Sequence, residues 1–474
     1  MARGSNTITN PQHASQGPAV QKSYLQELST KITDNISQLG HDDTAGIKAA
    51  TAALELAALL RPPGDTIMGW FANMSVVSAV RLFLHWGCFE VIPEGKGESI
   101  SYSQLSTKVN VDVQLLTRIA SMLTSAHILL HHPASSTSSQ TSGPSLSHTP
   151  TSALLRPGQP MCAMFSLMFN NVAAVSTILP DYFDAYGRVE PLGPAHIPTS
   201  YLAGHPEEDY FSLLKRDEVA LRNFGMAMRM TSARVPVTTI DGLERVVEDV
   251  VRTHMESGRS RGEDRAEDEN IMWVDVGGGD GHTVSDFLVK FPSIKGEYCV
   301  VQDLDEVVAS AGKAGERDVL LKGVRWVAMD FLQEAPVKGA FVYYLRHIFR
   351  DYSDPVAATI LRNIAHAMTN PAARVLISEQ LHPDVMAPEP GSVTAGGQTT
   401  EVREEKGQGK PPVPLYAAFK DFSMLAIGGK ERSLEQFRGL AHMAGMRVSE
   451  VYQNRETRHA VVEMRLAGGL SVAG

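Results

Sequence analysis

A glycine-rich loop between a predicted strand and a predicted helix is the strongest chemical signal in this sequence. It reads Val274-Asp-Val-Gly-Gly-Gly-Asp-Gly281. Glycine lets the chain turn sharply and lets a ligand approach the backbone closely. Asp303 ends the next predicted strand, at a spacing typical of an acid that binds ribose hydroxyls. Together they predict a site for a nucleoside-containing cofactor, and a nicotinamide dinucleotide is one candidate.

The elements that must position this loop lie in the second half of the chain. From Ile271 onward, apolar runs typical of strands alternate with helical segments, which predicts a doubly wound α/β sheet. A helix is marked by Asp354 as a possible cap, by Pro355 in its first turn and by Asn370-Pro371 at its end. The predicted strands are Ile271–Val276, Tyr298–Gln302, Val324–Ala328, Ala340–Leu345, Arg374–Ser378, Met446–Val451 and Ala460–Met464.

The first half of the chain is predicted to be mainly helical. Asp112 is expected to cap the second helix of a helix-turn-helix, and the strand expected at His127–His132 favours a winged form. The expected organisation is a disordered tail at 1–20, a helical domain at 21–155, a helical linker at 156–240 and an α/β domain at 241–474. Loops are predicted at 133–152, 255–270 and 383–412, because these stretches are rich in Ser, Thr, Pro, Gly or charge.

Composition excludes several classes of partner. The chain has 43 Lys and Arg against 53 Asp and Glu, a net charge of −10, which argues against nonspecific binding of nucleic acid. A DNA-reading role for the helix-turn-helix is an alternative, but its second helix offers only Arg118 as a cation. Three scattered cysteines and a polar N-terminus lead us to expect a cytoplasmic protein. The uncharged block at 157–180 favours a helix that is buried or at a subunit interface over a membrane span.

Several motifs resemble one family over most of the chain. They are Val274–Gly281, Asp303-Leu304, Asp330-Phe331, Val337-Lys338-Gly339, Tyr343–Asp354, Ser378-Glu379 and Gly428–Ser433. This set resembles the class I S-adenosylmethionine-dependent O-methyltransferases of fungi and plants that carry an N-terminal dimerisation domain. The resemblance implies a Rossmann-like seven-stranded sheet, a winged helix-turn-helix used for dimerisation, and a homodimer.

The resemblance also implies a cofactor site for S-adenosylmethionine. By similarity, Gly277 and Gly279 lie under the cofactor beside Asp275, and Asp303 holds the ribose. Asp330 and Phe331 hold the adenine, while Lys338 sits near the methionyl end, where the reaction takes place.

One position departs from the family in a way that decides the chemistry. Where these methyltransferases carry a histidine base, this chain has Arg350, and His347 stands three residues earlier. Arginine is effectively never deprotonated, so it cannot act as the base. The two acids that support the base remain, as Glu379 and Glu431.

Two enzymatic functions follow from this departure. The favoured one is a pericyclase of fungal secondary metabolism, which binds the cofactor without consuming its methyl group. In it, Arg350 and Lys338 would polarise a polyketide-derived substrate during dehydration or cyclisation. The alternative is an O-methyltransferase acting on a phenol acidic enough to ionise unaided. A simpler explanation for the arginine is evolutionary drift without functional effect in a methyltransferase, with Arg350 salt-bridged to Asp351 or Asp354. A non-catalytic regulator is a third possible function.

Weaker candidates for the substrate pocket come from apolar segments. Thr231 follows three methionines in a helix that lines the pocket in this family, although such methionine stripes are more often plain core. Met424 is a similar candidate, and Val413 is expected at the pocket mouth, with His347 nearby. His131 and His132 have no third ligand at a sensible spacing, so no metal site is predicted.

Overall fold

The computed structural model describes residues 22–95, 97–137, 140–234, 240–261, 271–315, 318–383, 413–454 and 459–468. These residues divide into two compact units, 22–152 and 153–468. The predicted tail and almost all of the predicted 383–412 insertion lie outside the described residues, as does most of the predicted 255–270 loop.

The N-terminal unit combines helices with a small three-stranded sheet. Asp112 caps the sixth helix as predicted, because its Oδ1 accepts the N–H groups of Gln114 and Leu115 at 3.0 and 2.9 Å. The sheet has the strand order β1-β5-β2. The elements are α1 (Lys22–Ser37), α2 (Ala45–Leu60), α3 (Pro63–His85), α4 (Cys88–Val91), β1 (Ile100–Ser101), α5 (Tyr102–Val109), α6 (Val113–Ser125), β2 (Leu129–His132), β3 (Ser135–Thr137), β4 (Gln140–Ser142) and β5 (Ser145–His148).

The prediction of a flexible loop at 133–152 is wrong. This stretch contains strands, and β5 is the central strand of the small sheet, pairing with both β1 and β2. Composition was misleading because polar residues on one face of a half-buried strand look like a loop. Leu146 is the one apolar residue of β5 and is fully buried, whereas Ser147 is buried although it is polar, and Ser145 and His148 are partly buried.

Helix α3 is apolar but mostly exposed within its unit. Trp70 and Phe71 are 61% and 57% exposed, together with Ile67, Met68 and Met74. Among the described helices, α3 alone is long and apolar enough to cross a membrane by itself. A second candidate is a helix pair, Pro160–Ala174 with Leu179–Tyr186, which is bent by 57°.

The C-terminal unit begins with helices that pack beside the large sheet. Its small core contains Leu167, Tyr210 and Ala227. Asn171 lies in a π-helix at Phe169–Ala174 and donates to the Tyr210 hydroxyl at 2.7 Å. The helices are α7 (Pro150–Ala153, at the boundary), α8 (Pro160–Met168), α9 (Leu179–Tyr186), α10 (Pro198–Ala203), α11 (Tyr210–Lys215), α12 (Glu218–Arg234) and α13 (Leu243–Arg261).

The large sheet has seven strands in the order β11-β12-β10-β9-β6-β7-β8. The five strands from β10 to β8 in this order are parallel, and β12 is antiparallel to both of its neighbours. The strands are β6 (Trp273–Val276), β7 (Cys299–Asp303), β8 (Arg325–Ala328), β9 (Val342–Arg346), β10 (Arg374–Gln380), β11 (Met446–Gln453) and β12 (His459–Leu466). The helices that connect them are α14 (His282–Lys290), α15 (Asp305–Gly315), α16 (Asp354–Ala367), α17 (Leu415–Leu425) and α18 (Leu434–Met443). The predicted doubly wound sheet is confirmed.

Both faces of this sheet are covered by apolar side chains. One core includes Tyr343, Phe349 and Ile360, and the other includes Trp273, Phe287 and Tyr344. The strand order reverses between β6 and β9, and ligands of open α/β sheets bind at the carboxyl ends of strands at such a point. The glycine loop follows β6 and the Tyr343–Asp354 motif continues beyond β9, so both lie at this position.

Candidate functional site

The glycine loop after β6 is built for close approach. Gly277 and Gly279 have φ angles of +71° and +59°, in the left-handed region that favours glycine. A side chain at Gly277 would lie 2.6 Å from Cδ1 of Ile348 and 3.5 Å from the Phe331 ring. At Gly279, by contrast, a Cβ would meet nothing within 4 Å among the described atoms. The loop is therefore packed on one side and open on the other.

Asp303 closes this loop from the neighbouring strand. Its Oδ2 accepts the Gly279 N–H at 2.8 Å and its Oδ1 accepts the Leu304 N–H at 2.8 Å. A carboxylate has about four lone-pair sites, so further acceptor capacity remains for hydroxyl groups. Burial raises its pKa, and the two backbone hydrogen bonds oppose that rise. The geometry fits the predicted ribose contact.

Asp275, Asp330 and Phe331 surround the same loop. Asp330 accepts the Leu332 N–H at 2.9 Å, and the Phe331 ring packs edge-on against Tyr352 with centroids 5.9 Å apart. Asp275 is buried, its Oδ2 has no hydrogen-bond partner in the described part of the chain, and burial raises its pKa to about 7. The predicted cofactor residues other than Lys338 are thus brought together, and their chemistry suits an adenosine-containing cofactor.

Beyond β9, Arg350 forms a buried ion pair. Its Nη2 lies 2.5 Å from Glu431 Oε1, and the two side chains are 12% and 4% exposed. Its Nε contacts Met424 Sδ at 3.4 Å, and Lys420 approaches Glu431 at 4.0 Å. Burial alone would lower the pKa of Arg350, but Glu431 and neighbouring carboxylates outweigh it and raise that pKa. The group is a permanent, fixed cation.

Close packing holds Arg350 in place. Its carbonyl accepts the Lys430 N–H at 2.9 Å, and Gly429 fits so tightly that a Cβ there would lie 2.1 Å from that carbonyl oxygen. Asp354 binds Lys430 at 2.7 Å and Arg432 at 2.8 Å. The alternative in which Arg350 is salt-bridged to Asp351 or Asp354 is not observed: Glu431 pairs with Arg350, and Lys430 and Arg432 pair with Asp354.

His347 lies beside Glu379 rather than beside Glu431. Its Nδ1 is 3.4 Å from Glu379 Oε2, and its ring meets that of His459 edge-on, with centroids 5.4 Å apart. The backbone at His347 has φ +54°, which is uncommon for a residue other than glycine. Two side chains that each contact a glutamate, the cationic Arg350 and the imidazole of His347, therefore lie at this edge of the sheet.

Other predicted residues are placed differently. Lys338 is exposed in the segment before β9, and Gly339 beside it bonds to Ala367 at the end of α16. Arg350 follows the other end of β9, and five residues of strand span about 16 Å. The structure does not bring Lys338 to the cluster. Thr231 is half-buried on α12 and bonds to the Ala227 carbonyl, and Val413 lies two residues before α17.

Sequence reasoning missed Arg346, Lys420 and His459. Arg346 Nη2 donates to the Ser232 carbonyl at 2.9 Å, which links the end of β9 to α12. The Lys420 ammonium binds the Gln380 side chain, and His459 Nε2 lies 2.9 Å from Ser378 Oγ. Arg346 stands next to His347 within a quoted motif and could have been found there. The others come from distant elements that only the folded sheet brings together.

Comparison with known proteins agrees with this geometry. Residues 267–447 match the family described as an O-methyltransferase domain. The chain is 29% identical over 411 residues to "Methyltransferase pynC" of Aspergillus niger, covering 86% of this chain and 99% of that protein. The resemblance predicted from the sequence is confirmed.

Two solved structures share the fold. One is OxaC in complex with SAH and oxaline, with a TM-score of 0.71 and 21% identity, covering 94% of this chain and 100% of that one. Another is described as "A Pericyclic Reaction enzyme", with a TM-score of 0.68 and 22% identity at the same coverage. The large sheet is that of the class I methyltransferases, as predicted.

Proposed function

We propose that this protein is a pericyclase of fungal secondary metabolism, built on the domain at residues 267–447 that matches the O-methyltransferase family. It binds S-adenosylmethionine and promotes dehydration, pericyclic cyclisation or both in a small polyketide-type substrate, without methyl transfer. The observation that carries the proposal is the buried guanidinium of Arg350 at the position where the family has its base. A structural neighbour described as a pericyclic reaction enzyme is consistent with it.

Arg350 suits electrostatic catalysis and not proton abstraction. The guanidinium has five N–H donors, and the contacts to Glu431 and Met424 engage only Nη2 and Nε. A fixed donor aimed at a substrate carbonyl stabilises negative charge as it develops, and does so most strongly where water is excluded. Met424 adds an adaptable apolar contact beside it, which fits a polycyclic or polyene substrate.

The glycine loop and its acids would hold the cofactor. Gly277 and Gly279 leave room for it, Asp303 accepts hydrogen bonds from the ribose, and Phe331 packs on the adenine side. When bound, S-adenosylmethionine supplies a sulfonium charge and, if a nucleophile is presented, a transferable methyl group. In the proposed reaction the residues of this chain position the substrate so that no nucleophile meets that methyl group.

The decisive test is product analysis. The purified protein is incubated with S-adenosylmethionine and dehydration-prone polyketide alcohols, and both product and S-adenosylhomocysteine are measured. We expect a dehydrated or isomeric product with no S-adenosylhomocysteine, and a loss of about 10²–10³ in rate for Arg350→Ala. Formation of S-adenosylhomocysteine in step with product would contradict the pericyclase and support methyl transfer.

Methyl transfer to a phenolic oxygen is the second candidate, and the His347–Glu379 contact favours it. Arg350→His separates the two functions. A methyltransferase that tolerates arginine here should gain transfer activity, because the family's base returns. A pericyclase should lose cyclisation and gain little methylation. Lys338→Ala tests the role implied by resemblance, and its exposed position leads us to expect at most a few-fold effect.

The N-terminal unit has a proposed role in assembly. We propose that α5, α6 and the small sheet form the predicted winged helix-turn-helix and that the exposed apolar side of α3 pairs with a second copy in a cytoplasmic homodimer. Exposed apolar patches of this kind mark interaction sites. Light scattering should give about twice the 51.4 kDa chain mass.

A further inference from the structure

The proposed pericyclase function assigns no role to one buried pair, His347 and Glu379. In the family, both acids support a single histidine, whereas here Glu431 pairs with Arg350 and Glu379 faces His347. Glu379 is buried, and its Oε1 has no hydrogen-bond partner among the residues described. A buried acid that contacts the His347 imidazole, interacts with Arg350 and still has one oxygen without a hydrogen-bond partner among the described residues needs an explanation.

The backbone at His347 points to a functional constraint. Its N–H still bonds to the Ser378 carbonyl at 3.2 Å, continuing the pairing of β9 with β10. Its φ of +54° then breaks the strand geometry. Non-glycine residues in this region cost about 1 kcal/mol or more and cluster at active sites. The next residue, Ile348, packs against the cofactor loop, because its Cδ1 would lie 2.6 Å from a Cβ at Gly277.

Glu379 selects the form of the imidazole. A carboxylate beside Nδ1 favours the tautomer in which Nδ1 carries the proton, and the lone pair then remains on Nε2. The 3.4 Å separation is long for such a bond, as catalytic hydrogen bonds often are before substrate binds. This is the orientation that a general base requires.

The charges around His347 keep it neutral. Burial, followed by the cations Arg350, Arg346 and Lys420 and by His282, holds the pKa of His347 well below its usual 6.5. The opposing acid is Glu379, whose own pKa is raised by burial against the pull of Arg350. His459 adds no charge, because burial and His347 lower its pKa to about 3. At neutral pH the imidazole is therefore uncharged, with one ring nitrogen unprotonated, and because the lowered pKa also makes it a weak base, the proton that it accepts must come from an acidic substrate group.

We propose that His347, positioned by Glu379, is the proton acceptor of this site and works beside the fixed cation Arg350. The proposed base, His347, lies three residues before the position of the family's base, and that position is occupied here by the cation Arg350. The assignment rests on the proposed active site but holds for either reaction there. The substrate class is an acidic phenol, or a carbonyl compound with an acidic neighbouring C–H bond and a β-hydroxyl group.

The proton balance is simple in both reactions. The O–H or C–H proton moves to His347 Nε2, and its bonding electrons remain on the substrate as an oxyanion facing Arg350. In dehydration, the C–O bond then breaks as the imidazolium returns that proton to the departing hydroxyl, and water leaves. In methyl transfer, Arg350 would hold that oxyanion, the bound cofactor would supply the methyl group, and the imidazolium would release its proton to water.

The left-handed backbone suggests variants that should still fold. Asparagine and glycine both adopt positive φ readily, so His347→Asn and His347→Gly should leave the fold intact, as thermal unfolding will verify. With the substrate identified by product analysis, we expect each to lower kcat by about 10²–10⁴. Added imidazole should restore part of the rate in His347→Gly only. The matched control is His366→Asn on the exposed side of α16, which should keep the full rate.

A second measurement needs no substrate. In the full chain labelled with ¹⁵N-histidine and saturated with S-adenosylmethionine, the signal lost in His347→Asn identifies His347. We expect a neutral imidazole protonated on Nδ1 at pH 7, with titration only well below pH 6.5. Glu379→Gln should shift the balance toward the Nε2–H form and lower kcat with little change in KM.

The outcomes separate the two proposals. Whether the product forms with or without S-adenosylhomocysteine decides which of the two reactions takes place. His347 should be required in either case. The proton-acceptor assignment is overturned if His347→Asn keeps full kcat, if imidazole fails to rescue a folded His347→Gly, or if His347 is Nε2–H or charged at pH 7.

Discussion

Replacing Gly429 with alanine tests whether the position of Arg350 controls the reaction. Gly429 lies in the loop between α17 and α18, and its N–H bonds to the Met424 carbonyl at 3.0 Å. An added Cβ would lie 2.1 Å from the Arg350 carbonyl oxygen and 2.8 Å from the Asp351 carbonyl carbon. Both obstacles are backbone atoms, so no side-chain rotation can relieve the overlap.

The size of the effect follows from this distance. Real Cβ contacts essentially never fall below 3.0 Å, so the loop and the Arg350 segment must separate by about 1 Å. Overpacking of this kind costs about 1–3 kcal/mol, and loss of the Lys430 N–H to Arg350 hydrogen bond adds about 0.5–1.5 kcal/mol. A misplacement of about 1 Å at a reacting group can lower the rate by about 10².

Urea unfolding, turnover and cofactor calorimetry together check this reasoning. We expect Gly429→Ala to lose stability and rate while its affinity for S-adenosylmethionine stays close to normal, because Asp303 and the glycine loop are untouched. The matched control is Gly439→Ala in α18, where a Cβ meets nothing within 4 Å and stability should rise by about 0.5–1 kcal/mol. A Gly429→Ala protein with unchanged stability and turnover would refute the argument.

Three further predictions use the same structure. Asp303→Ala should weaken S-adenosylmethionine binding by about 1.5–3 kcal/mol, roughly 10–150-fold by calorimetry, and unchanged affinity would contradict the ribose assignment. Burial raises the pKa of Asp354, but Lys430 and Arg432 outweigh it and lower that pKa, so its stabilising contribution is present above its unfolded pKa and is lost as pH falls through the folded value. Urea midpoints measured from pH 5 to pH 2 should therefore fall more steeply in wild type than in Asp354→Asn, and parallel curves would count against the pairing. Trp70→Asp combined with Phe71→Asp should reduce the mass measured by light scattering to that of one chain, whereas a mass unaffected by the change would place the interface elsewhere.

The fold was largely predictable because its signals are local. Every strand of the large sheet coincides with a predicted apolar run, with ends that differ by at most two residues. Apolar runs bounded by glycine, proline and charged residues are sufficient to locate these strands, since strands buried on both faces are continuously hydrophobic. Strand β5 was missed because Leu146 is its one apolar, fully buried residue, so the sequence has no apolar run there that would predict a strand.

The site was predictable where one motif carries both the residues and their geometry. The glycine loop and Asp303 meet as expected, because adjacent parallel strands end at the same edge of the sheet. Lys338 was expected at the reacting end by resemblance, yet it precedes β9, whereas the site lies beyond it. Lys420 and His459 come from α17 and β12, and no spacing in the sequence relates them to Arg350 or His347.

The pairing of His347 with Glu379 shows why spacing alone could not assign the base. Residues three apart in an extended strand point to opposite faces, and in a helical turn they point to nearly the same side. Neither rule applies here, because the left-handed residue at 347 ends the strand and a short 3₁₀ turn at Phe349–Asp351 follows it. The two side chains therefore reach different acids, Glu379 at the end of β10 and Glu431 after α17. One acid orients a neutral imidazole and the other fixes a cation, so an arginine at the family's base position does not leave this site without a base.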